Sequence, residues 1–449
     1  MDVAANTYAG SPLWRHNASR RNSEAVKAAA ASPAARWALY DNDLRLLTAV
    51  PPPLAGANGE GVGVPAVPRV AWLPRALLDV VLSAVRVGGT KGSGSAGELD
   101  SPDLSVFLGE WIGYGAADGG GCRGGYDGDA PPPGLATGSA NSPPASPPAG
   151  SLYCHAIRLS TVSAGARAFS PIAVEHLVAG MASASATTAF PPGTSFAWAH
   201  VRAAATAGRS PPLPPADVAV AAHGRSLFEF HARHAYCGTC GAPSVAEEGG
   251  SRRRCSVAVA AATAEAEVEA VTAGGEPSGG CGGVWFPRTD PVAIMLVVRR
   301  GGQEVLLGRQ ARFPADMWSA LAGFMEHGEG IEDTVRREVM EEAGIRVGRV
   351  RLHSTQPWPF PYSLMIGCVA EALSDTITVD TKEMEDVRWF PREDVVAAVS
   401  GDPGASGGRL RVPPSMAIAH VLLRAYAMNS PVCVFGEPVA APAAPAAAL

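Results

Sequence analysis

The chain has 449 residues, a net charge of −6, and 17% charged against 47% apolar residues. Such a length calls for two or three domains, and 51 glycines and 39 prolines point to folded domains broken by flexible insertions. The acidic balance excludes a general nucleic-acid scaffold, which needs a basic field, and no charge-free apolar run reaches the roughly 18 residues of a membrane span.

In chain order, residues 1–236 form an expected N-terminal domain in which regular pattern is sparse. Residues 70–73 and 76–87 carry some, the latter with helical spacing, and residues 105–112 (SVFLGEWI) read as a strand. The stretches 88–104, 113–150 and 183–216 are rich in Gly, Ser, Pro and Ala. They bury too little apolar surface to offset their ordering entropy and are expected to be disordered insertions. From Asp217, the expected N-cap, to Tyr236 the pattern is helical. Residues 237–286 hold four cysteines and an Ala/Glu/Val-rich insertion at 256–280.

Pattern density rises over 287–430. Residues 292–298 read as a buried strand, and 304–308 continue a hairpin across Gly301 and Gly302. Residues 331–343 read as a helix that Gly344 stops, 364–372 and 387–390 as strands, and 415–428 as a closing amphipathic helix. Residues 431–449 are a low-complexity tail. Met1-Asp2 leads into no apolar core, so no secretory signal is expected. Arg15, Arg20 and Arg21 with Ser19 and Ser23 resemble a transit peptide until Glu24 interrupts them. The expected location is intracellular, cytoplasmic or organellar, with chloroplast, mitochondrion and peroxisome all open. Without a signal, the eight cysteines read as reduced thiols or metal ligands.

The chemistry concentrates in residues 323–345, GFMEHGEGIEDTVRREVMEEAGI. Gly323, Gly328 and Gly330 permit a tight loop. On the helix that follows, Glu338, Glu341 and Glu342 share one face. Three like charges need a compensating cation, and carboxylate oxygens suit Mg²⁺ or Mn²⁺. Arg337 can pair with a carboxylate and hold it in place. A metal held there and facing an open loop suits phosphoryl chemistry. The glutamates alone would equally fit a solvated acidic face. The full spacing is more restrictive: Gly323, Glu329, Arg337, Glu338, Val339, Glu341, Glu342, Gly344 and Ile345 fill G-x5-E-x7-R-E-U-x-E-E-x-G-U, where U is aliphatic.

That array resembles the Nudix box of the Nudix hydrolases at every fixed position. The resemblance implies an α/β/α sandwich and cleavage of a nucleoside diphosphate linked to another group. It also implies that Glu338 and Glu342 bind metal, that Glu341 is a further ligand or the residue that activates water, and that Glu329 supports the site. A second string, TQPWPFPYS at 355–363, resembles the SQPWPFPxS array of the NADH pyrophosphatases in that superfamily. Read from the residues, Pro357, Pro359 and Pro361 fix a stiff extended loop. Trp358 and Phe360 offer ring faces to a nucleobase or nicotinamide, or else pack into the core. Gln356 and Ser363 offer hydrogen bonds. By resemblance Thr355, Gln356, Pro357, Trp358, Pro359, Phe360, Pro361, Tyr362 and Ser363 shape the dinucleotide pocket. Residues 285–294 are similar to the family's lead into its first Nudix strand, with Phe286 where a Tyr is common. Residues 382–390 resemble the region that supplies one more metal carboxylate, best matched by Glu383. Ala419 matches the small residue of the closing helix that lies against substrate.

Cys237 and Cys240 have the spacing of a zinc knuckle, and Cys255 and Cys281 follow at wider intervals. The family carries a four-cysteine zinc ribbon at this place. Here the 256–280 insertion separates the second pair, at only a logarithmic cost in closure entropy. Zinc on four thiolates would be structural, with no open coordination position. His231 and His234 read as helix surface or as packing against the ribbon. The weaker N-terminal resemblance implies a β-rich domain and a homodimer. The resulting expectation is metal-dependent hydrolysis of NADH to reduced nicotinamide mononucleotide and AMP, with NAD⁺ and related dinucleotides as weaker substrates. Removal of an NAD cap from RNA by the same cleavage, and a non-catalytic nucleotide-binding protein, are the alternatives.

Overall fold

The structure, a computed structural model, describes residues 213–257, 281–400 and 410–435 continuously, and before them residues 13–14, 23–31, 35–40, 45–50, 69–71, 73–74, 105–111, 152–158 and 195–204. Two units are distinguished: residues 8–288 with Pro359–Pro361, and residues 289–358 and 362–449 with the first seven residues.

The first unit is β-rich, as expected. Its large sheet contains β1 (Leu13–Trp14), β2 (Ala35–Tyr40), β3 (Arg45–Val50), β4 (Arg69–Val70), β5 (Leu73–Pro74), β6 (Ser105–Trp111), β7 (Leu152–Arg158) and β8 (Ser195–His200). The order is β1-β6-β7-β2-β3-β4, with β5 on β2 and β8 on β3. Helix α1 spans Ser23–Ala31 and the short α2 Val201–Ala204. β8 and α2 correct the reading of 183–216 as one insertion. Alanines and prolines hide the alternation of Phe196 and Trp198, and β8 pairs with β3 along its length. The expected helix at 76–87 and the insertions 88–104 and 113–150 lie outside the described residues.

Helix α3 (Pro215–Arg233) starts two residues before the expected N-cap. Pro214 is the cap and Pro215 the first helical residue, where a missing N–H costs nothing. Its buried face takes Tyr40, whose hydroxyl donates to the Ala221 carbonyl at 2.7 Å and whose ring meets Phe228 edge-on. Strands β9 (Ser244–Glu247), β10 (Arg252–Cys255) and β11 (Val284–Trp285) form a small antiparallel sheet. Buried Arg253 donates to Ser244 Oγ and to His231 Nδ1, while His231 Nε2 meets the Gly250 carbonyl at 2.9 Å. His231 therefore packs against this small sheet.

The second unit is a mixed sheet between helices. It comprises β12 (Asp290–Arg299), β13 (Glu304–Arg309), β14 (Leu321–Phe324), β15 (Val347–Trp358), β16 (Ser363–Ala372) and β17 (Asp386–Pro391), with α4 (Ile331–Ala343), α5 (Arg392–Ser400) and α6 (Ile418–Ala427). The order is β15-β16-β12-β13-β17 with β14 on β12; β12 and β16 run parallel. From Val292 to Val298 β12 is apolar and buried because both faces are covered. Ala293, Met295 and Val297 meet Val335, Val339 and Ala343 of α4. Ile294, Leu296 and Val298 meet Leu422, Leu423 and Tyr426 of α6. This is the α/β/α sandwich.

Two expectations change here. β15 absorbs residues 355–358, read as loop; Pro357 is tolerated because β15 is an edge strand. Only 359–362 remain as the turn into β16, with Trp358 opposite Ser363. The closing helix begins at Ile418 rather than 415, after a turn in which the Ala417 N–H bonds the Pro414 carbonyl. Among the described residues no helix is long and apolar enough to cross a membrane.

Candidate active site

The site is built on the loop between β14 and α4 and on that helix. Gly330 is the N-cap, and the Asp333 carboxylate accepts its N–H at 3.3 Å. Gly328 sits at φ +90, in the region that glycine alone adopts freely. The helix ends at Gly344 with φ +67, and the Gly344 N–H reaches the Met340 carbonyl.

Arg337 is the hub. Its Nε donates to Glu329 Oε1 at 2.6 Å and its Nη2 to Glu329 Oε2 at 2.9 Å, a fork-on-fork pair. Its Nη1 reaches Glu338 at 2.8 Å and Glu341 at 3.0 Å, and its Nη2 also reaches the Phe324 carbonyl. Glu329 further accepts from the Glu326 N–H and the Thr334 hydroxyl. The Arg337 hydrogen bonds, then the Glu326 N–H, hold the Glu329 carboxyl down to about 2. Glu329 is thus a fixed anion that braces the loop against the helix.

The other carboxylates converge without full compensation. Glu338 is 8% exposed and Glu342 4%. Gly323, paired with Ala293 on the neighbouring strand, makes this possible: a Cβ there would lie 1.8 Å from the Glu338 carboxyl carbon. Burial, followed by the charges of Glu338 and Glu383, pushes Glu342 up to about 8, although the Ala322 N–H donates to it. Burial likewise raises Glu338, against the pull of Arg337 and with a push from Glu341 and Glu383. Glu342 Oε2 is buried with no hydrogen-bond partner. The buried, unpartnered Oε2 of Glu342 lies in the field of Glu338, Glu383 and Glu341, and uncompensated carboxylate oxygens of this kind are the chemistry that a hard divalent cation takes. Glu383, on the segment after Asp380, is exposed yet close enough to act on both buried glutamates.

The four cysteines come together despite the insertion. The sulfurs of Cys237, Cys240, Cys255 and Cys281 all lie within 4.8 Å of one another. Cys237 and Cys281 are 3.3 Å apart, Cys240 and Cys255 3.5 Å. Tetrahedral thiolate ligation at about 2.3 Å places sulfurs roughly 3.8 Å apart, so the cluster fits one ion. Burial opposes ionisation of Cys237, but the Cys240 N–H, the Cys281 thiol and the Thr239 N–H bring it down to about 6.

The residues of the second motif divide. Thr355, Gln356, Pro357 and Trp358 lie on β15 opposite Ile366, Met365, Leu364 and Ser363. Pro359, Phe360 and Pro361 group with the first unit, where the Arg225 guanidinium lies 5.2 Å from the Phe360 ring centre and the Ser226 hydroxyl donates to the Pro361 carbonyl. The Tyr362 carbonyl accepts from the Asp290 N–H, and Ser363 is buried. Phe286 is 60% exposed, whereas Ala419, on α6, is buried in the core. Gln356, expected to offer its amide to a ligand, is fully buried and donates to the Met416 carbonyl and accepts from the Ile418 N–H. The reading of the sequence missed Thr334, Ala322 and Arg225. Two of these act on the glutamates through a hydroxyl or a strand N–H with no motif signal. Arg225 is one cation among several on α3.

Residues 289–406 match the family model described as the NUDIX domain. The chain is 42% identical over 227 residues to the human "NAD-capped RNA hydrolase NUDT12", covering 49% of this chain and 45% of that protein. It is 33% identical over 218 residues to the human "NAD(P)H pyrophosphatase NUDT13, mitochondrial", covering 47% and 55%. It is 35% identical over 233 residues to the "NAD-capped RNA hydrolase NudC" of Chromobacterium violaceum, covering 52% of this chain and 71% of that protein. The chain thus spans about half the length of the NUDT12 proteins it matches. With the box, the convergent carboxylates, the cysteine cluster and most of a bacterial relative's length in register, this chain belongs to the NADH pyrophosphatase family of the Nudix hydrolases.

Proposed function

We propose that this chain hydrolyses the pyrophosphate bond of NADH to reduced nicotinamide mononucleotide and AMP, and cleaves NAD⁺ and related dinucleotides more weakly. The observation that carries the reading is the orphaned, buried Oε2 of Glu342 among Glu338, Glu341 and Glu383. Mg²⁺ or Mn²⁺ held by Glu338 and Glu342, with Glu341 and Glu383 beside them, would polarise a phosphate oxygen and lower the pKa of a bound water. Arg337 keeps Glu338 and Glu341 oriented, and Glu329 anchors Arg337. Glu341, 56% exposed, is a further ligand or the acceptor of the water's proton. Trp358 supplies a ring face for the dinucleotide, with Thr355, Tyr362 and Ser363 beside it on the same unit. Zn²⁺ on the four cysteines is a structural clamp.

The proposed organisation is an N-terminal domain over 1–236, a zinc ribbon over 237–286 and the hydrolase domain over 287–430, whose core also takes in Cys433 and Phe435 from the segment read as a tail, working as a homodimer. Two of the relatives above bear the name NAD-capped RNA hydrolase. A cap is the same dinucleotide bearing an RNA chain, so removal of NAD caps is the second reading. The test offers equal concentrations of NADH and NAD-capped RNA with Mg²⁺ or Mn²⁺ and follows AMP and 5′-monophosphate RNA. AMP leading supports the first reading and monophosphate RNA leading the second. Neither product, from folded protein, sinks both.

A further inference from the structure

Gln356 lies on β15 two residues before Trp358, so both side chains point to the same face of the strand. It has no exposure, and its amide is used at both ends: Nε2 donates to the Met416 carbonyl at 2.8 Å and Oε1 accepts from the Ile418 N–H at 2.8 Å. Those two backbone groups flank Ala417, the N-cap of α6, whose side chain has no oxygen to cap the helix. Gln356 therefore supplies from another strand the acceptor that the helix start lacks. It also ties down the carbonyl just before that start. A carboxamide alone does both: a carboxylate cannot donate, and a methyl-ended chain can do neither. Among glutamine's neighbours in chemistry, asparagine is one methylene too short to span the same gap.

We infer that Gln356 is a positioning residue that locks the Trp358 end of β15 to the start of α6, and so sets where Trp358 stands relative to that helix. The inference rests on the proposed function, which places the dinucleotide against Trp358. A side chain that fixes a wall of the pocket without touching the ligand acts on how well any dinucleotide is seated. One that touches the ligand acts only on ligands that carry the group it touches.

The experiment compares the full-length wild type with Gln356→Met and Gln356→Glu. Hydrogen exchange of the Ile418 amide is read without substrate, and KM and kcat are read for NADH, NAD⁺ and ADP-ribose. Gln356→Met removes the acceptor, so Ile418 should exchange about tenfold faster or more. Gln356→Glu keeps an acceptor and should protect Ile418 while losing the hold on Met416. In both variants KM should rise by a similar factor, about tenfold, for all three substrates, with kcat within about threefold of wild type, because Trp358 is displaced rather than the reacting groups. Ile418 exchange unchanged in Gln356→Met overturns the bridge. A lower melting temperature with unchanged KM reduces the residue to a fold-stabilising contact and overturns the positioning role. A rise in KM confined to NADH and NAD⁺, sparing ADP-ribose, overturns it in favour of direct contact with the nicotinamide. A wild type that cleaves none of the three overturns the functional reading itself, whereas the exchange result still decides the bridge.

Discussion

At the scale of single residues, the site sets the Arg337 cation against five carboxylates, Glu329, Glu338, Glu341, Glu342 and Glu383. Arg337 satisfies Glu329 outright and reaches Glu338 and Glu341 with one nitrogen. Glu342 lies beyond that reach, and its raised pKa and orphaned oxygen mark where compensation is missing. The Glu329–Arg337 pair has a pH signature. The Glu329 carboxyl is held at about 2 against an ordinary 4.5, so its contribution to stability is complete above pH 4.5 and is lost as pH falls toward 2. Arg337→Met removes the main cause of that depression. In metal-free buffer the gap in melting temperature between wild type and variant should be steady near neutrality and narrow between pH 4.5 and 2. An equal gap at both ends of that window would show that the pair is not what holds Glu329 ionised. These residues were legible because they stand within one loop and helix. Gln356 was not: the same polar amide suits a ligand or a buried backbone bridge, and only the approach of α6 decides between them.

At the scale of elements, α4 was readable from end to end. Its apolar positions Val335, Val339 and Ala343 recur at four-residue spacing, and Gly344 closes it. That glycine holds φ +67, and a Cβ would come within 2.8 Å of the Thr378 Cβ. Gly344→Ala should cost about 1–2 kcal/mol in denaturant unfolding, from left-handed backbone strain together with the contact. A variant as stable as wild type would mean that the helix end adjusts freely. β14, β15 and α5 were not anticipated. β14 is four residues long, too short for its pattern to stand out. β15 contains Pro357, whose missing N–H disqualifies a central strand but not an edge one. β8 was obscured by its alanines and becomes a strand by pairing with β3.

For the whole molecule, the legible part is the part whose chemistry demands fixed spacing. The box and the first cysteine pair announce themselves, and the α/β/α sandwich follows from the family the box belongs to. The joining of Cys255 and Cys281 across the insertion could be expected only by resemblance. Spacing alone does not reveal that β10 and β11 pair side by side, Arg254 opposite Val284, and bring the two sulfurs in. The N-terminal elements were least legible, because their pairings join residues far apart in sequence: β2 runs beside β7, more than a hundred residues on. The proposed hydrolysis depends on Glu342 above all, since that carboxylate is buried, uncompensated and central to the cluster. The most direct measurement is chromatographic product analysis of NADH incubated with Mg²⁺ or Mn²⁺, for wild type and Glu342→Gln side by side. AMP and reduced nicotinamide mononucleotide from the wild type, with turnover reduced about a hundredfold or more in a folded Glu342→Gln protein, is the expected result. Wild-type turnover in the variant would contradict the assignment of the site.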